Sequence, residues 1–185
     1  MRKIWPWLAT GIVPVAAAVQ LRRQGRLWLC SCGYLLPWAG DIWSSDNSQH
    51  LFDPYSFTHL LHGVLFSGLL AWGVPRVSAA WRLCLAVSLE AMWEVIENSD
   101  FIIRRYREAT ASLSYQGDTI VNSLGDILVS GLGVMLAWHL GFRRALALFA
   151  VIEVLLLLWI RDSLILNMVM LIYPMQEVKV WQMGH

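Results

Sequence analysis

Three sets of polar side chains interrupt otherwise apolar stretches of this chain: His59 and His62; Glu90, Glu94 and Glu97; and Asp118, Asn122 and Asp126. Imidazoles and carboxylates are the groups that hold metals inside helical bundles. Two histidines with one or two carboxylates suit zinc, iron or manganese, whereas a carboxylate-rich site with Asn122 suits magnesium or calcium. The expected ligands are His59, His62, Glu94 and Asp126, with Asn122 and Asp118 beside them. Glu97 or Glu90 would act as general base on a metal-bound water, whose pKa the ion lowers. The spacing matches neither Glu-x-x-His nor His-Glu-x-x-His, so two metal-free readings stay open: a proton relay, and a polar network that holds helices together. Arg104, Arg105 and Arg107 precede the Tyr115-Gln116-Gly117-Asp118 string. Guanidinium groups there would hold a phosphate or other anionic headgroup of a lipid-linked or amphipathic substrate. Their alternative is interfacial anchoring and pairing with Glu108.

Positioning these groups requires helices. At about 100° per residue, Glu90, Glu94 and Glu97 fall within ~60° of one another, with Phe101 and Arg104 prolonging the stripe. His59 and His62 share a face by the same rule. With 185 residues, 57% of them hydrophobic, and a mean hydropathy of +0.53, the chain reads as one all-α membrane domain. The apolar runs predict about five spans, near 4–21, 55–73, 79–103, 117–140 and 145–173, with an extra interfacial helix. Arg161 and Asp162 interrupt the last run. A rise of about 1.5 Å per residue then sets all three polar groups within one to three turns of the same surface. The net charge of +1 offers no electrostatic basis for nucleic-acid binding.

The short connections around 74–79 and 141–144 carry Arg76, Arg82, Arg143 and Arg144 without acids, which with Arg2 and Lys3 assigns that side to the cytoplasm. Tryptophans fall toward both ends of the spans, as aromatic belts do: Trp5, Trp7, Trp72, Trp81 and Trp138 at one, Trp28, Trp38, Trp43 and Trp159 at the other. Met1-Arg2-Lys3 and the apolar run after it imitate a secretory signal, but the expectation is a retained first helix. Cys30 and Cys32 are too close for an easy mutual disulfide and form no zinc motif alone; Cys84 is expected to pack. His50 and Asp53 are read mainly as capping residues, and Glu153 and Asn167 as packing or interface residues. Gly63 with Ser67, and Gly131 with Gly133, would let helices approach closely. The stretch 22–54 is expected to be ordered against the bundle mouth.

The strings Cys-Ser-Cys-Gly (30–33), Ser-Gln-His (48–50), Asp-Pro-Tyr-Ser-Phe-Thr-His-Leu-Leu-His-Gly (53–63), Glu-Ala-Met-Trp-Glu-Val-Ile-Glu-Asn-Ser (90–99) and Gly-Asp-Thr-Ile-Val-Asn-Ser-Leu-Gly-Asp (117–126) resemble a bacterial family of small inner-membrane proteins, described only as a domain of unknown function. A fainter likeness reaches VanZ-like membrane proteins, which also place His, Glu and Asp/Asn on successive helices. The resemblance implies a multi-pass plasma-membrane protein, and the basic loops put its polar site on the periplasmic side. The leading expectation is a metal-dependent intramembrane enzyme. A non-catalytic accessory subunit with a protein partner in the membrane, and a proton-coupled transporter, are the alternatives.

Overall fold

The computed structural model describes residues 4–112 and 114–184, so Arg2 and Lys3 lie outside the described residues. Its elements are all helical: α1 (Trp5–Arg23), α2 (Ser56–Gly73), α3 (Ala79–Glu97), α4 (Asp100–Ala109), α5 (Ile120–Leu140), α6 (Phe142–Ile160), α7 (Leu164–Ile172) and α8 (Gln176–Met183).

Local chemistry sets the boundaries. The Ser99 hydroxyl accepts from the Ile102 N–H, Thr119 from Asn122 and Ser163 from Leu166, each satisfying a free amide at the start of α4, α5 or α7. Arg161 adopts a left-handed conformation (φ 53°) and ends α6. Gly141 (φ 73°) makes the sharp turn between α5 and α6.

The centre is α5, with α2 laid along it. A methyl group on Gly63 would overlap the Ser130 carbonyl, and one on Gly133 would overlap the Leu60 carbonyl, so the two backbones touch where those glycines stand. Gly131 has only ordinary contact room against Val87 and does not share this role. The core joins α1, α3 and α5 through Ala17, Leu83, Ala86, Val87, Ile127 and Val134. The stretch before α2 is fixed across the mouth of the bundle, as expected. The Thr119, Ile120 and Val121 amides donate to the Ser48, Leu27 and Trp28 carbonyls at 3.0, 2.8 and 3.2 Å.

The five-span bundle expected from the apolar runs is not supported. Among the described residues only α5 is long and apolar enough to cross a membrane, and 56% of its most apolar stretch is buried in the protein. The physical reason is interruption and polarity. The run 79–103 breaks at Asn98–Ser99 and the run 145–173 at Arg161–Ser163. In α1 the apolar residues share space with Pro6, Thr10, Pro14 and Gln20; α2 carries both histidines; α3 carries Arg82 and three glutamates; and α6 carries Arg143, Arg144 and Glu153. The outer surface is nonetheless rich in exposed large apolar side chains, among them Trp72, Phe142, Leu158 and Ile172.

Candidate functional site

The first turns of α2, the last turns of α3 and the first turns of α5 converge on an inner chamber of about 50 Å³. His59, His62, Glu97, Asp118, Asn122 and Asp126 line it; Glu90 and Glu94 stand fully buried against the histidines. All eight residues predicted as ligands or bases are therefore brought together.

Glu90 bridges the two imidazoles. His59 Nδ1 lies 2.6 Å from Glu90 Oε1, and His62 Nδ1 lies 3.1 and 3.2 Å from the two Glu90 oxygens. A proton on each Nδ1, donated to Glu90, leaves Nε2 as a lone-pair donor. That is the carboxylate–histidine arrangement that orients metal-binding imidazoles. His59 Nε2 faces Asp126 Oδ2 across 3.8 Å. Too long for a hydrogen bond, this gap joins the two kinds of atom a cation bridges. Glu94 Oε1 approaches His59 Nδ1 at 3.2 Å, yet among the described residues neither Glu94 oxygen makes a hydrogen bond, nor does Glu97 Oε2. One atom each from His59, Glu94 and Glu97 lies within 4.8 Å of the others, a spacing that can hold a metal ion.

The remaining carboxylates are held by donors. Asp126 Oδ1 accepts from the Ser56 hydroxyl at 2.7 Å. Asp53 accepts from the Ser48 and Tyr55 amides and from Asn122 Nδ2, at 3.0, 2.7 and 3.3 Å. Asn122 thereby positions Asp53. Asp118 and Asn98 bind each other twice, Asn98 Nδ2 donating to Oδ2 at 2.8 Å and the Asp118 amide donating to Asn98 Oδ1 at 2.6 Å; the Tyr115 hydroxyl adds a donation at 2.9 Å. The Tyr106 hydroxyl sits between Glu97 Oε1 (2.8 Å) and Asn167 Oδ1 (3.0 Å). Burial, with Asp118 nearby, pushes Asp53 up to about 6. Burial likewise raises Asp118, against the opposing hydrogen bonds from Asn98 and Tyr115. Asp53, Glu90, Glu94, Glu97, Asp118 and Asp126 thus face two imidazoles, and among the described residues no lysine or arginine lines the chamber.

Above the chamber lies a vestibule of about 620 Å³, and Asn47, Tyr55, Ser112 and Tyr115 border both spaces. Arg104 and Arg105 line neither. Arg104 Nε donates to the Asp100 carbonyl at 3.3 Å, and Arg105 donates to the Leu171 and Ile172 carbonyls at 2.7 and 3.2 Å. They stand apart from both spaces because the break at Asn98–Ser99 resets the phase of α4. Cys30 and Cys32, read as too close for an easy mutual disulfide, are joined as one at the vestibule wall, while Cys84 is buried as expected.

Sequence reasoning understated Asp53, read mainly as a cap, and Asn167, read as packing; both line the chamber. It missed Asn98, Ser56 and Tyr106 outright. Asn98 alone had a readable signal, standing one turn beyond Glu94.

The chain matches the family model described as Protein of unknown function (DUF2585) over residues 21–184, and it belongs to that family. It is 43% identical over 181 residues to the UPF0314 protein of Paracoccus denitrificans (strain Pd 1222), covering 98% of this chain and 94% of that protein. It is 42% identical to the UPF0314 protein of Rhizobium meliloti (strain 1021), covering 98% and 91%, and 38% identical to that of Sphingopyxis alaskensis, covering 96% and 95%. No solved structure matches.

Proposed function

We propose that this DUF2585-family protein is a divalent-cation-dependent enzyme whose chamber acts on the polar end of a lipid-linked or amphipathic substrate. The observation that carries the reading is Glu94: fully buried, with no hydrogen bond to either oxygen among the described residues and only the His59 imidazole close by. An unpaired buried carboxylate costs several kcal/mol, so such a group takes up a proton or a cation. His59, Glu94 and Asp126 would hold the ion, with His62 and Glu97 beside them and Glu90 orienting both rings. The imidazole donor favours zinc, iron or manganese over magnesium. A cation held there would supply activation of water toward attack at neutral pH. Glu97, steadied by Tyr106 on one oxygen and free on the other, is placed to accept the proton.

The vestibule admits a group far larger than the chamber can hold, which fits an amphipathic molecule that inserts one end. The exposed apolar exterior supports a position at the bacterial plasma membrane, where an unpartnered surface of that kind is covered by lipid. The disulfide at the mouth favours a vestibule that opens to the periplasm. The likeness to VanZ-like proteins points to the same cell-envelope setting.

Elemental analysis of gently purified protein tests the reading. Near-stoichiometric divalent metal in the wild type, absent from a His59→Ala/His62→Ala double variant, is the expected result. A metal-free wild type would contradict it. One observation favours a second reading, a proton-sharing network within a non-catalytic subunit: the 2.6 Å His59–Glu90 contact is a complete ion pair without any metal. That reading requires a stoichiometric membrane partner and wild-type behaviour of Glu94→Gln.

A further inference from the structure

The vestibule wall carries chemistry that the chamber does not use. Cys30, Cys32 and Asp46 line it, and a ring nitrogen of His50 lies within 4.8 Å of both sulfurs and an Asp46 oxygen. The Cys30–Cys32 disulfide spans a single intervening residue. Cross-links stabilise by restricting the unfolded chain, and the effect shrinks with the loop they close. This one restrains almost nothing, so a structural role does not account for it.

Its surroundings differentiate the two sulfurs. Cys32 is exposed, whereas Cys30 is half-buried and accepts the Cys32 backbone N–H at 3.0 Å. That amide is aimed at the sulfur that would become a thiolate if Cys32 were attacked. His50 holds a second, unengaged donor near the pair. Its Nδ1 accepts the Leu36 N–H at 3.2 Å, so the ring proton resides on Nε2. His50 is fully buried, and Nε2 has no hydrogen-bond partner, Asp46 Oδ1 standing off at 3.7 Å. Tyr34 holds this pair in place, stacking on His50 at 5.2 Å and donating its hydroxyl to Asp46 Oδ2 at 3.0 Å. The same tautomer argues against a metal, since ligation through Nε2 would move the proton to Nδ1, directly against the Leu36 N–H.

We propose that Cys30–Cys32 is a thiol–disulfide exchange site served by a dithiol that enters the vestibule. A thiolate of that dithiol attacks Cys32 Sγ. The Cys30–Cys32 bond breaks, and its electron pair passes to Cys30 Sγ, where the Cys32 amide and the His50 Nε2–H receive the charge. The second thiol of the dithiol then resolves the mixed disulfide and releases Cys32. The dithiol is oxidised to its own disulfide, the pair is reduced to two thiols, and the two protons come from the dithiol. None of this depends on the inner chamber.

The test uses the folded, full-length chain, dithiothreitol as the dithiol, alkylation and peptide mass spectrometry. Cys30 and Cys32 should both become alkylated while buried Cys84 stays unmodified, which shows that the fold is intact. From oxidised glutathione, Cys30→Ser should capture glutathione at Cys32 about tenfold faster than Cys32→Ser captures it at Cys30. His50→Asn should slow reduction about tenfold. Reduction only after Cys84 becomes reactive would overturn the proposal, as would equal capture rates in the two single variants. Untreated protein with both cysteines as thiols on zinc would overturn it too, assigning a metal site instead.

Discussion

Two buried acidic clusters in this molecule resemble each other in burial and differ in satisfaction. At the break between α6 and α7, Glu153 accepts the Leu164 and Ile165 amides at 2.9 and 3.1 Å. Asp162 beside it accepts the Ser163 amide, Asn167 Nδ2 and the Tyr55 hydroxyl at 2.9, 3.1 and 3.3 Å. Those carboxylates replace the missing partners of a helix start and complete the local structure. Glu94 is equally buried and, among the described residues, accepts no hydrogen bond, with only the His59 imidazole near it at 3.2 Å. Burial alone therefore does not distinguish a functional carboxylate from a structural one. The count of donors does.

The largest effect that separates the clusters is on stability. Glu153→Ala strips two amides at the start of α7 of a charged acceptor and should cost about 2–4 kcal/mol in denaturant unfolding, with divalent-metal content unchanged. Glu94→Gln should do the reverse, cutting divalent affinity by roughly 100-fold, about 2.7 kcal/mol, while metal-free stability holds or rises. Equal stability losses in the two variants would erase the distinction. Glu90→Gln should weaken divalent binding by about 10–100-fold through its hold on both imidazoles, without removing a ligand.

The smallest predicted effect is a pH dependence. Burial raises Asp162 from 3.8 to about 6. The folded state then holds a proton that the unfolded chain has released, so this residue's contribution is fully present below about pH 4 and is lost as pH rises through 6. Between pH 5 and pH 7 the wild type should lose about 1 kcal/mol more stability than Asp162→Asn. Parallel unfolding curves for the two proteins across that range would show that Asp162 does not titrate there.

The chamber was legible because ionisable residues at helical spacing stand out in apolar runs, and the helices that bring His59, Glu94 and Asp126 together follow from that spacing. Continuity was not legible. An apolar run is counted by composition, whereas a span requires an unbroken helix, and Asn98–Ser99 and Arg161–Ser163 break two of the five. The first break also explains Arg104: its alignment with Glu97 assumed one helix, and Ser99 starts another, leaving neighbouring Phe101 exposed. Asp53 was underrated and Ser56 escaped because they reach the site from a loop or a helix edge, where no periodicity reports facing.

Divalent-metal content of Glu94→Gln against the wild type, both folded by circular dichroism, tests the central claim most directly. The account predicts about one ion per wild-type chain and almost none in the variant. Equal metal in both, or none in either, would contradict it.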